Sequence, residues 1–196
     1  MFIDPVPEAA AEGALADYYA QQRAAWGFLP NYAAAFSTRP DVASAWNTLN
    51  GTIRDGMDRR RFEIATIAAA RALRSTYCTA AHSKFLRDLC ADEETMLAIS
   101  ERPDGAGLSG ADRAVYHLAA KVALDAATVG QDDIDALKKA GLSDADVADV
   151  VFAAAARSFF TRVLDGLGTQ LDQETAASFS SDVLQAMLVG RPVAAG

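Results

Sequence analysis

The chain has 196 residues, 51% of them hydrophobic but only 8% aromatic, with a formal net charge of −8 and a pI near 4.7. That length supports one good core, or two small subdomains sharing one. The acidic balance argues against nucleic acid and against an anionic membrane surface as partners.

The N-terminus, Met-Phe-Ile-Asp-Pro-Val-Pro-Glu, has an acid at its fourth position and no basic stretch. No apolar run reaches membrane-spanning length without a charge. These features predict a cytoplasmic protein with no targeting segment and no membrane association. Pro5 and Pro7 precede a predicted helix over about 8–25, with Leu15, Tyr18, Tyr19 and Trp26 on its apolar side and Gly27 ending it. A short helix through Phe36 follows Pro30. Thr38-Arg39-Pro40-Asp41 opens another to about Arg54, where Val42, Ala45, Trp46, Leu49 and Ile53 form an amphipathic stripe. Asp55-Gly56-Met57-Asp58 breaks it, and Asp58 is placed to cap the next helix, to about Leu73.

Ser75 or Thr76 caps a helix ending near Leu89, and a short one covers about 92–100. Arg102-Pro103-Asp104-Gly105-Ala106-Gly107 is the longest breaker-rich run. It is the expected seam, near 102–107, between two similar halves of a single domain over 1–196. Ser109 caps a helix through about Ala126, and 131–140 forms another. Gly141-Leu142-Ser143-Asp144 starts a long helix to about Leu167. A last helix is expected over 172–188, and the tail over 190–196 is expected to fray. Alanine dominates the apolar residues and favours helix over strand. No segment alternates as a strand between turns, so the predicted fold is all-α. Glu63–Arg71 and Asp149–Arg157 also match in pattern, at an offset of 86 residues. The second copy keeps the apolar helix but sets Leu164 opposite Cys78 and Gly168 opposite His82, a degenerate internal repeat.

The chemistry concentrates between Glu63 and His82. Glu63 lies among Phe62, Ile64, Ala65, Ile67 and Ala68–Ala70, a run apolar nearly all round. An unpaired carboxylate there costs several kcal/mol or is driven toward protonation. Arg59, Arg60 and Arg71 are candidate salt-bridge partners. Cys78 and His82 are four residues apart and share a helix face. If Ser75 is the N-cap, Cys78 falls in the first helical turn, where free N–H groups favour a thiolate. A thiol, an adjacent base and a carboxylate orienting that base are the parts of an activated nucleophile. The second cysteine, Cys90, stands about 18 Å along the same predicted helix, too far to pair with Cys78. Two cysteines suit a reducing compartment. No metal site is expected, because no Cys or His cluster completes one. No cofactor is expected either, since there is no phosphate-binding loop or nucleotide fingerprint. His117 stands without a thiol or second histidine near it and receives no role.

Glu63, then Tyr77-Cys78 and His82, resembles the Glu…Cys-x-Tyr-Cys-x-x-x-His signature of the alkylhydroperoxidase D-like, carboxymuconolactone decarboxylase superfamily. Supporting stretches are Trp26-Gly27-Phe28-Leu29-Pro30-Asn31, Arg39-Pro40, Leu108 with Asp112-Arg113-Ala114, Ala140–Asp144, and Arg162 followed by Leu167-Gly168. The wider chain resembles the superfamily's peroxidase-related branch over roughly residues 8–175. The resemblance implies an all-α bundle with a repeated helical unit, a homo-oligomer (a trimer or hexamer), and Asn31, Arg162 and Trp26 approaching the site. It departs at one position. Where the dithiol members carry the first cysteine of the pair, this chain has Ser75, which can cap the helix but cannot form the resolving disulfide.

Three functions are therefore weighed. The first is a one-cysteine peroxidase in which Cys78 attacks a peroxide, His82 is base and then acid, Glu63 holds the imidazole, and Ser75 and Tyr77 support. An external thiol reductant would restore the sulfur. The second is a non-redox lyase or isomerase acting on a small organic acid through Glu63 and His82. The third is a decayed site on an oligomeric scaffold. The retained Tyr77-Cys78 and His82 place the peroxidase first.

Overall fold

The computed structural model describes residues 1–102 and 104–195, and helices build nearly all of it. In chain order these are α1 (Gly13–Trp26), α2 (Asn31–Ala35), α3 (Pro40–Gly56), α4 (Arg59–Ala72), α5 (Thr76–Leu89), α6 (Glu93–Glu101), α7 (Gly110–Asp125), α8 (Gln131–Lys139), α9 (Asp144–Gly166), α10 (Gln173–Ala176) and α11 (Ser181–Met187). Short 3-10 turns cover Glu8–Ala10 and Ala126–Thr128. Among the described residues the β-type pairing is one isolated parallel bridge, Leu171 to Val193.

The helix boundaries follow from local chemistry. Asp58 accepts from Arg61 N–H and starts α4, Asp92 accepts from Thr95 N–H and starts α6, and Ser109 and Ser143 do the same for α7 and α9. Each such cap satisfies an N–H that the helix leaves without an internal partner. Gly27 ends α1 at φ 82°, a left-handed conformation that costs a glycine little.

Helix α4 is the central element. Every residue from Phe62 to Ala70 is buried, and the helix packs against α5, α7 and α9. Its run has no polar face, so exclusion from water on all sides is the only stable placement. Each large side chain buried there, such as Ile64 or Ile67, contributes about 1.5–3 kcal/mol. The two helices with matching sequences, α4 and α9, lie against each other in this core. The turn between α6 and α7 contains Asp104–Gly107, with Gly105 at φ 77° and the Asp104 carboxylate accepting from Ala106 N–H. Pro103, at the expected seam, lies outside the described residues.

Two expectations are corrected toward the C-terminus. The single helix expected over 172–188 is two short helices with a break at 177–180. There the carbonyl of Ser178 accepts from Arg87 of α5, and the Arg87 guanidinium sits 4.9 Å from the centre of the Phe179 ring. The tail expected to fray is tied down. Gly190 N–H donates to Thr76 Oγ1, Arg191 donates to the carbonyl of Asp165, and Ala194 N–H donates to the carbonyl of Leu171.

Candidate active site

Arg59 opens α4, and one turn later Glu63 sits with no exposed surface. The i, i+4 spacing lets Arg59 Nε donate to Glu63 Oε1 at 2.6 Å. The other oxygen, Oε2, meets His82 Nδ1 of α5, also at 2.6 Å. Burial pushes the Glu63 carboxyl up, but His82 and Arg59 outweigh it and hold the group below its usual value of 4.5. His82 is lowered as well, from the value of a free imidazole. Burial and the charge of Arg157 depress it to about 4, and Glu63 offsets this only in part. At neutral pH the pair is a carboxylate beside a neutral imidazole. The carboxylate accepts, so Nδ1 carries the proton and Nε2 is left with a free lone pair.

Cys78 is in the first turn of α5, as the spacing predicts, and its side chain is almost wholly buried. A polar partner of its sulfur comes from α9, where Arg157 Nη1 lies 3.8 Å from Sγ. Arg157 Nη2 donates to Asn50 Oδ1 of α3 at 3.3 Å. The guanidinium lies over the rings of Trp46 and Phe160, at 5.5 and 5.2 Å from their centres. Among the described residues, no carboxylate pairs with it.

Cys78, His82 and Arg157 open onto one cavity of about 300 Å³. Trp26, Tyr32, Trp46, Phe85 and Phe160 form much of its wall, with Gln22, Asn47, Asn50 and Arg54 as polar members. The His82 ring stands edge-on to Phe85, 5.5 Å between centres. Among the described residues no group of three His, Cys, Asp or Glu side chains converges as a metal site.

The two supporting residues, Ser75 and Tyr77, stand at the start of α5, and Tyr77 lines the cavity. Ser75 occupies the N-cap position of α5 and is fully buried, yet its hydroxyl accepts no helix N–H. It lies beside Asp165 instead, where burial raises the carboxyl and Ser75 and Arg191 offset that only partly. Tyr77 donates from its hydroxyl to Asp172 Oδ2 at 2.5 Å and accepts from Tyr32 N–H at 3.3 Å. Burial keeps this phenol protonated far above neutral pH, so Tyr77 ties α5 to α2 and to the start of α10. Trp26 does line the cavity. Asn31 does not: it bonds Asp172 and the carbonyl of Gln170. Arg162 is exposed on α9. Arg157 and Asn50 went unassigned in the sequence reading. The available signal was an arginine inside the apolar run from Val150 to Phe160, at the position matching Arg71 in the repeat.

Residues 40–102, which carry α3 to α6, match the carboxymuconolactone decarboxylase family. A stretch of 86 residues is 37% identical to an alkyl hydroperoxide reductase of Mycobacterium tuberculosis, and the match covers 43% of this chain and 25% of that protein. The chain thus spans about a quarter of that relative's length. The fold is shared with an alkylhydroperoxidase AhpD core, an uncharacterized peroxidase-related protein from Ralstonia eutropha JMP134, at TM-score 0.76 and 22% identity over 96% of this chain and 97% of that one. It is shared as well with the debrominase Bmp8, solved as a cysteine-to-alanine variant in complex with 2,3,4-tribromopyrrole, at TM-score 0.76 and 17% identity over 95% of this chain and 97% of that one. The family match falls on the helices that hold Glu63, Cys78 and His82, and the fold is shared over nearly its whole length with the alkylhydroperoxidase AhpD core.

Proposed function

We propose that the protein is a thiol-dependent peroxidase that reduces small hydroperoxides through Cys78 and is recycled by an external thiol. The observation that carries this reading is the convergence of Cys78 and a neutral, Glu63-anchored His82 on one cavity. His82 Nε2 takes the thiol proton, and the sulfur attacks the terminal, hydrogen-bearing peroxide oxygen. The O–O bond breaks, the sulfur is oxidised to a sulfenic acid, and the departing alkoxide takes the proton back from the imidazolium. One external thiol then displaces water from the sulfenic acid to give a mixed disulfide. A second releases Cys78 as the thiol and leaves as the oxidised disulfide. Ser75 supplies no second sulfur, so both reducing equivalents come from outside. Arg157 is the cation that the developing sulfur anion meets.

Hydrogen peroxide followed by dimedone is expected to label Cys78, and Cys78→Ser is expected to abolish thiol-dependent peroxide consumption. A wild-type thiol that stays unlabelled at millimolar peroxide would sink the reading. The near-complete burial of Sγ favours one alternative, proton-transfer chemistry by His82 and Glu63 on a small organic acid. Activity kept in Cys78→Ser and lost in His82→Ala would select it.

A further inference from the structure

Arg157 is a buried cation whose contacts among the described residues are electrically neutral: a thiol sulfur, an amide oxygen and two aromatic faces. Both of its polar contacts are long, and its Nε has no hydrogen-bond partner among the described residues. Removing a guanidinium from water costs several kcal/mol, which a full counter-charge normally offsets. Stacking on Trp46 and Phe160 offsets part of it. The remainder is a positive field at the wall of a narrow cavity, where charge acts over a lower dielectric than in bulk water. Arg54, on the same wall, adds a second cation, though Asp55 already engages it at 2.9 Å. The rest of the enclosure is flat and aromatic. A volume near 300 Å³ is at the small end of ligand pockets, enough for one substituted ring. Aromatic walls discriminate in favour of ring faces and edges over saturated chains of equal size.

We propose that the cavity binds a planar aromatic or heteroaromatic anion, with its ring against the Trp26, Trp46 and Phe160 walls and its anionic group on Arg157 and Asn50. This inference deepens the peroxidase reading and rests on it only for taking this cavity as the substrate site. The anion supplies the counter-charge that the protein does not. The ring then stands beside Cys78 and His82, so the oxidant or reacting group belongs on a ring-bearing acid rather than on a long alkyl chain.

The molecule carries its own probe. Its two tryptophans, Trp26 and Trp46, both line the cavity, so tryptophan emission reports occupancy. Cys78→Ser, which cannot turn over peroxide through the thiol, is titrated at pH 7 with benzoate, benzamide and cyclohexanecarboxylate. Saturable quenching by benzoate is expected at a Kd at least tenfold below that of either other compound. Benzamide within tenfold of benzoate would show that charge is not read. Cyclohexanecarboxylate within tenfold would show that the ring is not read, and no saturable response to any of the three overturns the proposal outright. In Arg157→Met, benzoate is expected to fall to the affinity of benzamide, and a surviving preference would also overturn it. If that variant does not fold, the three-probe comparison still decides. Binding is measured without turnover, so an inactive thiol with the benzoate preference intact removes the peroxidase chemistry alone. A working peroxidase without that preference removes the substrate class alone.

Discussion

His82 receives its character from three helices at once. Glu63 of α4 fixes Nδ1, α5 carries the ring, and Arg157 of α9 helps press its proton affinity down to about 4. A base of that kind is unprotonated across the neutral range and gains a proton only in acid. The sign for activity follows: peroxide reduction should be flat on the acidic side down to about pH 5 and fall as pH drops through about 4. His82→Gln is expected to lower kcat/KM by about 10²–10⁴-fold and to remove that acid limb, both read from a pH–rate profile. A wild-type profile falling near pH 6.5 would mean that the imidazole titrates as if exposed. Glu63, Cys78 and His82 were legible in the sequence, because a lone carboxylate in an apolar helix and a thiol one turn from an imidazole are local patterns. Arg157 was not. Its meaning depends on Arg157 of α9 reaching Cys78 of α5 with 79 residues between the partners, a distance that no periodicity encodes.

The helices themselves were legible wherever a cap announced them, as at Asp58, Ser109 and Ser143. The reading failed at Ser75, where a residue with the right side chain for an N-cap accepts no helix N–H. It failed again at 177–180, where Arg87 holds the break in what the pattern alone takes for one helix. At the break a tertiary partner outbids a local preference. The start of α5 is also where the redox chemistry can be changed. Ser75→Cys sets a second thiol three residues before Cys78, a spacing within disulfide reach. Peroxide is then expected to give an intramolecular disulfide in place of a stable sulfenic acid, seen as loss of two free thiols and of dimedone labelling. Continued labelling of Cys78 in this variant would show that the two sulfurs do not meet. The C-terminal tail guards the same helix start. A Cβ on Gly190 would lie 1.8 Å from the carbonyl oxygen of Arg74, which is backbone and cannot swing aside. Gly190→Ala should therefore push the tail off Thr76 and lower stability by about 1–3 kcal/mol, measurable by urea denaturation. An unchanged midpoint would mean that the tail's contacts with Thr76 and Asp165 contribute nothing to the fold.

At the scale of the molecule, one core around α4 holds charged groups whose titration is tied to folding. No described helix is long and apolar enough to cross a membrane, and the carboxylates that ion-pair at the surface, such as Asp41 and Asp88, are too hydrated to weigh much. The buried pair is different. His82 has a folded value near 4 against its usual 6.5, so between those limits the unfolded chain binds the proton more readily than the native one. Stability from this group is complete above about pH 6.5 and is lost as pH falls toward 4, by about 1.4 kcal/mol per unit and on the order of 3 kcal/mol in all. Glu63, held below its ordinary value, adds loss of the same sign lower in the acid range. Asp165 and Asp172, both raised by burial, bind protons more readily when folded and oppose it there. The window from pH 6.5 to 5 is thus dominated by the imidazole. Urea midpoints should fall across that window in the wild type and stay nearly level in His82→Gln, where no group titrates at position 82. The comparison of slopes is what counts, since the variant can be less stable at every pH. Equal slopes would mean that the acid sensitivity originates outside the Glu63–His82 pair.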